Sequence, residues 1–121
     1  MAGKMIEQKT VLPSNRFIFV FLFLFVEKMF VGVCQVELLL HDSESLKDKR
    51  FVLSGVKTKI QNKFNVSIAE VGHNELWQRA LLGLAMVTNE QKMVDQTYNR
   101  ILEFLYQEDR LEVLQHQIEI Y

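Results

Sequence analysis

The chain has 121 residues, of which 49% are hydrophobic and 24% charged, which is the size and balance of one globular domain with a single core. Its lone cysteine, Cys34, excludes an internal disulfide and a paired-cysteine zinc site, and we expect a reducing, cytoplasmic setting. The net charge is −1, and residues 29–121 hold ten of the 14 basic and thirteen of the 15 acidic groups. This balance lacks the basic excess that drives non-specific nucleic-acid binding, so an RNA partner would require a local patch.

Residues 1–28 differ in composition from the rest of the chain. Basic residues precede a run of ten apolar residues, 17–26, which two charged residues close. As a helix this run would be about 15 Å long, roughly half the hydrocarbon thickness of a bilayer, so it does not span a membrane alone. Three interpretations remain: upstream sequence that precedes a biological start at Met29, a membrane or partner anchor, or an added strand. We expect the fold to occupy residues 29–121.

The stretch from Phe30 to Leu40 alternates as a β-strand does. Gln35 and Glu37 fall on one face, which leaves the opposite face apolar and assigns it to the core. Cys34 lies at the centre of that core face. Because no basic side chain flanks it in sequence to stabilise a thiolate, we interpret it as a small buried hydrophobe and not as a nucleophile.

A helix is predicted to begin at a Ser45 cap and to end near Phe64. Its core-facing stripe of apolar residues at helical spacing consists of Leu46, Leu53, Val56, Ile60 and Phe64. Six basic residues flank this stripe, three on each side: Lys47, Arg50 and Lys57, then Lys49, Lys59 and Lys63. We expect their stems to cover the margins of the stripe with the charged ends in water, and the alternative is an RNA-facing surface.

Two apolar runs within residues 64–83, separated by a polar cluster that contains a glycine, predict a β-hairpin at the middle of the chain. Its second strand is expected to begin near Leu76, with Trp77 and Arg79 on one face. Both faces of that strand are mostly apolar, which predicts a central strand. We therefore expect Trp77 to be buried or to lie in an interface. Gly83 inside the strand indicates a bulge or a close backbone approach.

A capping box over residues 88–91 predicts a second helix, which ends near Gln107, and residues 111–121 alternate as a half-exposed strand. The element order is therefore βαββαβ. Right-handed crossovers place both helices on one face, which gives a ferredoxin-like α/β sandwich with strand order 4-1-3-2. The other face of the sheet stays open and is expected to display Gln35, Glu37, Gln117 and Glu119.

The histidines and the acidic residues offer weak signals for a site. His41 and His73 fall in predicted turns and His116 in the last strand, positions that are more typical of surface residues than of metal ligands. Glu37 and Glu70 would meet on the open face only if the hairpin register placed both there.

Three segments carry a family resemblance: residues 45–50, the sequence FNVSIAEV at 64–71, and WQRA at 77–80 with Leu82 and Gly83. Over about residues 29–121 the chain resembles the YlxP-like family of small bacterial proteins of unknown function. The resemblance implies a ferredoxin-like fold and supplies no catalytic residues or cofactor. It also implies an association with translation initiation or ribosome maturation, because genes of the family commonly lie among genes for those processes. Family members typically begin near Met29, which favours the upstream-sequence interpretation.

Three classes of function follow. An accessory factor that binds ribosomal RNA or a ribosome-associated protein would use Lys47, Lys49 and Arg50 for phosphates and Trp77 or Arg79 for stacking. A protein-interaction module would self-associate or bind a partner through the open sheet face. An enzyme is not indicated, since the sequence contains no glycine-rich phosphate loop, metal-ligand cluster or nucleophile beside a base. We therefore expect a non-enzymatic, translation-associated accessory protein without a cofactor, with membrane contact only if the N-terminal apolar run is an anchor.

Overall fold

The computed structural model describes residues 29–121, and the interpretations made for residues 1–28 lie outside the described residues. Its helices and strands, in chain order, are β1 (Phe30–Leu39), α1 (Leu46–Lys63), β2 (Ser67–Gly72), β3 (Arg79–Thr88), α2 (Gln91–Tyr106) and β4 (Glu112–Ile120). The four strands form one antiparallel sheet in the order β2-β3-β1-β4. Both helices pack on the same face of this sheet. The predicted ferredoxin-like βαββαβ fold and its strand order are confirmed.

The first helix begins at the predicted Ser45 cap, and the second begins at Gln91, two residues later than the predicted capping box implies. At the start of α1, the Asp48 amide donates to Ser45 Oγ at 3.0 Å, which satisfies one of the unpaired donors of the first turn. The Asp48 carboxylate accepts from the amide of Glu44, the residue before the cap, at 3.0 Å. The start of α2 differs from the capping box in detail. Glu90 occupies the N-cap position without a side-chain cap bond, and its amide donates to Thr88 Oγ1 at 3.1 Å.

The core lies between the sheet and the two helices, on the apolar face predicted for β1. Its side chains that are fully buried in β1, α1, β3 and α2 include Val36, Leu38, Val56, Ile60, Ala80, Leu82, Val94, Tyr98 and Leu105. Close approach of α2 to β1 requires a glycine at position 32, because a Cβ there would lie 2.5 Å from Val94 Cγ1. The Tyr98 hydroxyl donates to the Gly32 carbonyl at 2.7 Å, which joins the two elements at the same point.

Cys34 is buried in this core, as its position in the strand predicts. Burial raises the pKa of the Cys34 thiol to about 11, because the thiolate would lose its hydration. The thiol is therefore neutral at physiological pH and lacks the thiolate character of a nucleophile.

The hairpin departs from expectation at its second strand. β3 begins at Arg79 and not near Leu76, and residues 73–78 form the connecting loop. Trp77 lies in this 73–78 loop and is 55% exposed, so the burial that we predict for it is wrong for the single chain, and the interface alternative stays a prediction. Two carbonyls of the loop, those of His73 and Asn74, bond a buried lysine and not a neighbouring strand.

The register of the hairpin is settled by the pairing of β3 with both of its neighbours. Gly83 lies opposite Gln35 of β1 and Ala69 of β2, and a bulge interrupts β2 between Glu70 and Gly72. The odd-numbered residues of β3 therefore face the open side of the sheet, and the even-numbered residues face the helices.

Candidate functional site

A buried lysine joins α1 to the hairpin. Lys49 is 1% exposed, and its ammonium donates to Glu70 Oε2 at 2.8 Å. The same ammonium lies 2.9 Å from the carbonyl oxygen of His73, 3.3 Å from that of Asn74 and 3.2 Å from that of Arg79. A buried charge is tolerated only when it is paired and hydrogen-bonded, and these four acceptors supply both requirements.

The burial of Lys49 corrects two expectations. The sequence predicts that its charged end lies in water, with contact to RNA phosphates as the alternative, but a side chain enclosed by the protein contacts neither. The sequence carries a signal for this position, because Lys49 precedes Leu53, Val56 and Ile60 at the spacings of four, three and four that mark the core-facing stripe. Lysine is rarely buried without a partner, and its partners here lie far along the chain.

A second polar cluster lies on the open face of the sheet, around Glu37. Its Oε2 lies 2.9 Å from Arg79 Nη1 and 3.2 Å from His73 Nε2, and its Oε1 accepts from Gln115 Nε2 at 3.0 Å. These contacts connect β1 with β3, β4 and the 73–78 loop. Glu70 faces the helices, so the two glutamates do not meet.

The polar side chains expected on the open face lie there, on β1 and on the edge strand β4: Gln35, Glu37, Gln117 and Glu119. Beyond the Glu37 cluster, the part of the face formed by β1, β2 and β3 is largely apolar. Side chains of β1 and β3 face each other across the strand pair, Val33 opposite Ala85 and Val31 opposite Val87. Val87 is 63% exposed, and Val71, which is 51% exposed, packs over Gly83. We call this surface the open-face patch, and it consists of Val31, Val33, Val71, Leu81, Ala85 and Val87. No element within residues 29–121 covers it.

A third surface lies along the exposed side of α1. Lys47 and Arg50 are exposed there, as expected, and the neighbouring Phe51 is 74% exposed. Lys47, Phe51 and Arg110 line an open groove of about 420 Å³, together with two aspartates. Neither Phe51 nor Arg110 is among the binding residues predicted from the sequence. An aromatic residue outside the apolar stripe is a signal for Phe51, whereas Arg110 comes from a distant loop and has no local signal.

The structure therefore separates the five residues predicted to bind RNA or a partner. Lys47 and Arg50 lie together on α1. Lys49 lies in the core, Trp77 lies in the 73–78 loop, and Arg79 is on the open face. They do not form one binding surface.

Within 29–121, no three His, Cys, Asp or Glu side chains come together in a group that could hold a metal ion. His41 Nε2 lies 3.5 Å from Glu112 Oε1 in an exposed pair. Neither helix of the described region is long and apolar enough to cross a membrane.

The chain is similar to known proteins over most of its described length. It is 40% identical over 75 residues to the uncharacterized protein YlxP of Bacillus subtilis (strain 168), a match that covers 62% of this chain and 82% of that protein. The de novo designed protein Foldit4 is similar in structure with a TM-score of 0.44 and 11% identity, over 76% of this chain and 93% of the designed one. The model of a family described as protein of unknown function (DUF503) matches residues 31–118. With that match and the YlxP relative, the resemblance found in the sequence is confirmed, and the chain belongs to this family of proteins of unknown function.

Proposed function

We propose that this chain is a non-enzymatic accessory protein that acts by binding another protein molecule through the open face of its sheet. The open-face patch carries the proposal, because contiguous exposed apolar side chains with polar groups at their margin are typical of protein interfaces. Val71 and Val87 are more than half exposed, and the polar margin is the cluster around Glu37.

A second copy of this chain is the occupant that we propose. Strands of 10, 6, 10 and 9 residues, about 4.8 Å apart and rising about 3.3 Å per residue, make a face of roughly 550 Å². This is about two thirds of the approximately 800 Å² that each partner buries in a standard interface. Glu37 and Arg79 neutralise each other within one chain, so this pair adds no unpaired charge to the contact. Glu119 lies on the edge strand β4, outside the open-face patch.

Analytical sedimentation of the full chain tests the proposal. We expect a dimer at tens of micromolar, and we expect Val87→Glu to raise the dissociation constant at least tenfold, since it would bury an unpaired charge in the interface. Phe51→Glu is the matched control, because it places the same charge on an exposed apolar position of α1. A monomeric wild-type chain would contradict self-association. If both substitutions weakened the dimer equally, the open face would not be the interface.

The exposed side of α1 favours a second candidate function, the binding of RNA. Phe51 lies beside Lys47 and Arg50, with Arg110 across the groove, and stacking aromatics next to basic groups are typical of single-strand binding surfaces. Asp42 and Asp48 also line the groove, and their negative charges would repel RNA phosphates. An association with ribosome maturation rests on the family resemblance alone.

A further inference from the structure

The 73–78 loop is exposed, yet the protein holds it at several points. Leu76 and Trp77 project into solvent. The Gln78 side-chain amide donates to the carbonyls of His41 at 3.3 Å and Ser43 at 3.2 Å, and the Gln78 carbonyl accepts from the Leu40 amide at 2.8 Å. Surface loops ordinarily have few such contacts and move more than the elements that they connect.

Lys49 holds the same loop from inside. Of its four acceptors, two are carbonyls of the loop, from His73 and Asn74, and a third is the carbonyl of Arg79, which directly follows the loop. If the loop moved away, the ammonium would keep Glu70 but would lose these carbonyls inside the core. Because an incompletely bonded buried charge is costly, the lysine favours one conformation of the loop.

His73 connects this internal contact to the open face. Its φ of 59° lies in the left-handed region, which is uncommon for a non-glycine residue. In this conformation the His73 carbonyl accepts from Lys49 on one side of the sheet, and its ring lies 3.2 Å from the Glu37 carboxylate on the other. The loop is thus fixed relative to both faces.

We propose that Lys49 is a positioning residue that holds the 73–78 loop in one conformation, and that the loop extends the protein interface of the open face through Leu76 and Trp77. The binding role of the loop rests on the proposed function, whereas its fixed conformation does not. A preformed loop binds more tightly than one that must be ordered on binding, since less conformational entropy is lost.

Hydrogen exchange of the loop amides in the full chain, read by mass spectrometry beside a denaturant titration, tests the role of Lys49. Lys49→Met keeps an unbranched side chain of similar length and removes the ammonium. Adding Glu70→Gln removes the carboxylate that the single variant leaves unpaired. We expect the double variant to regain much of the stability that the single variant loses, while its loop amides exchange at least tenfold faster than in the wild type. Lys63→Met, at the exposed end of α1, is the matched control and should change neither property.

Recovery of loop protection together with stability in the double variant would overturn the positioning role, because Lys49 would then serve only as the counter-ion of Glu70. If Lys49→Met does not fold, Glu70→Gln alone decides the matter. The carbonyls should then still hold the ammonium and keep the loop protected, and a loss of protection in that variant would contradict the proposal.

Trp77→Ala tests the second half of the inference. It should weaken self-association in sedimentation at least fivefold without unfolding the chain, since more than half of the Trp77 surface is exposed in the single molecule. Unchanged association in Trp77→Ala, with loss of association in Val87→Glu, would remove the loop from the interface and leave the open-face proposal standing. A monomeric wild type would remove the interface from the inference, and the exchange experiment would still decide the role of Lys49.

Discussion

Glu37 and Glu70 lie on opposite faces of one sheet, and each neutralises a different cation. Glu70 accepts from Lys49 at 2.8 Å on the helix side, and Glu37 pairs with Arg79 at 2.9 Å on the open side. His73 contacts both arrangements, through its carbonyl to the lysine and its ring to Glu37. The loop that begins at His73 is therefore where the core and the open face are most directly connected.

Gly32→Ala is expected to destabilise the fold by about 1–3 kcal/mol, because its methyl group would overlap with Val94 Cγ1 in a packed core. The free energy of unfolding from urea titrations measures this effect. Gly55→Ala is the matched control, since its Cβ would have no neighbour within 4 Å and alanine favours the helix interior. That substitution should stabilise α1 by about 0.5–1 kcal/mol, and a loss from both changes would contradict the steric explanation.

The free energy of unfolding should fall in alkaline solution, and ionisation of the buried Cys34 thiol contributes to that fall. Its pKa is raised from 9.0 to about 11 by burial, so the folded state keeps the proton that the unfolded state releases. This contribution is complete below pH 9 and is lost as the pH rises through about 11. Burial also raises the pKa of Tyr98, and the nearby Cys34 adds to that rise.

Unfolding midpoints of the wild type and Cys34→Ala, measured between pH 7 and pH 11, test this expectation. The variant should lose less stability than the wild type across the alkaline limb, although its smaller side chain lowers the midpoint at neutral pH. If the midpoints of the two proteins fell in parallel from pH 7 to pH 11, the Cys34 thiol would not contribute to the alkaline loss of stability.

RNA binding through α1 predicts a specific change in salt dependence. Replacing Lys47, Arg50 and Arg110 with alanine should weaken binding and lower the slope of log affinity against log salt by about 2, since single strands release about 0.7 counterions per phosphate contact. Lys49 is left unchanged because it is buried, and the fold should survive. Filter binding across a salt series measures both effects, with Lys59→Ala as the control.

The salt series also distinguishes RNA binding through α1 from protein binding through the open face. Absence of binding to RNA at low salt would contradict the RNA candidate. An unchanged slope in the triple variant would place any binding on another surface.

A chain that starts at Met29 is expected to be at least as soluble and as stable as the full chain. The run at 17–26 is apolar, aromatic and free of proline, a composition that promotes association when exposed. Thermal unfolding and light scattering of both versions test this. A large fall in Tm on truncation would contradict the expectation and would indicate that the N-terminal segment contributes to the fold.

Local periodicity predicted most of the fold. The alternation in β1 and the stripe in α1 place their residues on the correct faces, because the 2.0 and 3.6 periods are properties of short segments. The Ser45 cap and the polar breaks likewise act over a few residues, so the order of elements and the ferredoxin-like topology follow from the sequence by itself.

Only the tertiary structure decided the environment of Lys49 and Trp77. The acceptors of the lysine lie 21 to 30 residues away along the chain, and three of them are backbone carbonyls, which every residue type carries. The stripe spacing places Lys49 on the core-facing side of α1, but no pattern in the sequence identifies the distant acceptors that make its burial possible. The 73–78 loop lies outside the sheet with Trp77 exposed, and the carbonyls of His73 and Asn74 find their donor in this distant lysine, a pairing that local sequence does not encode.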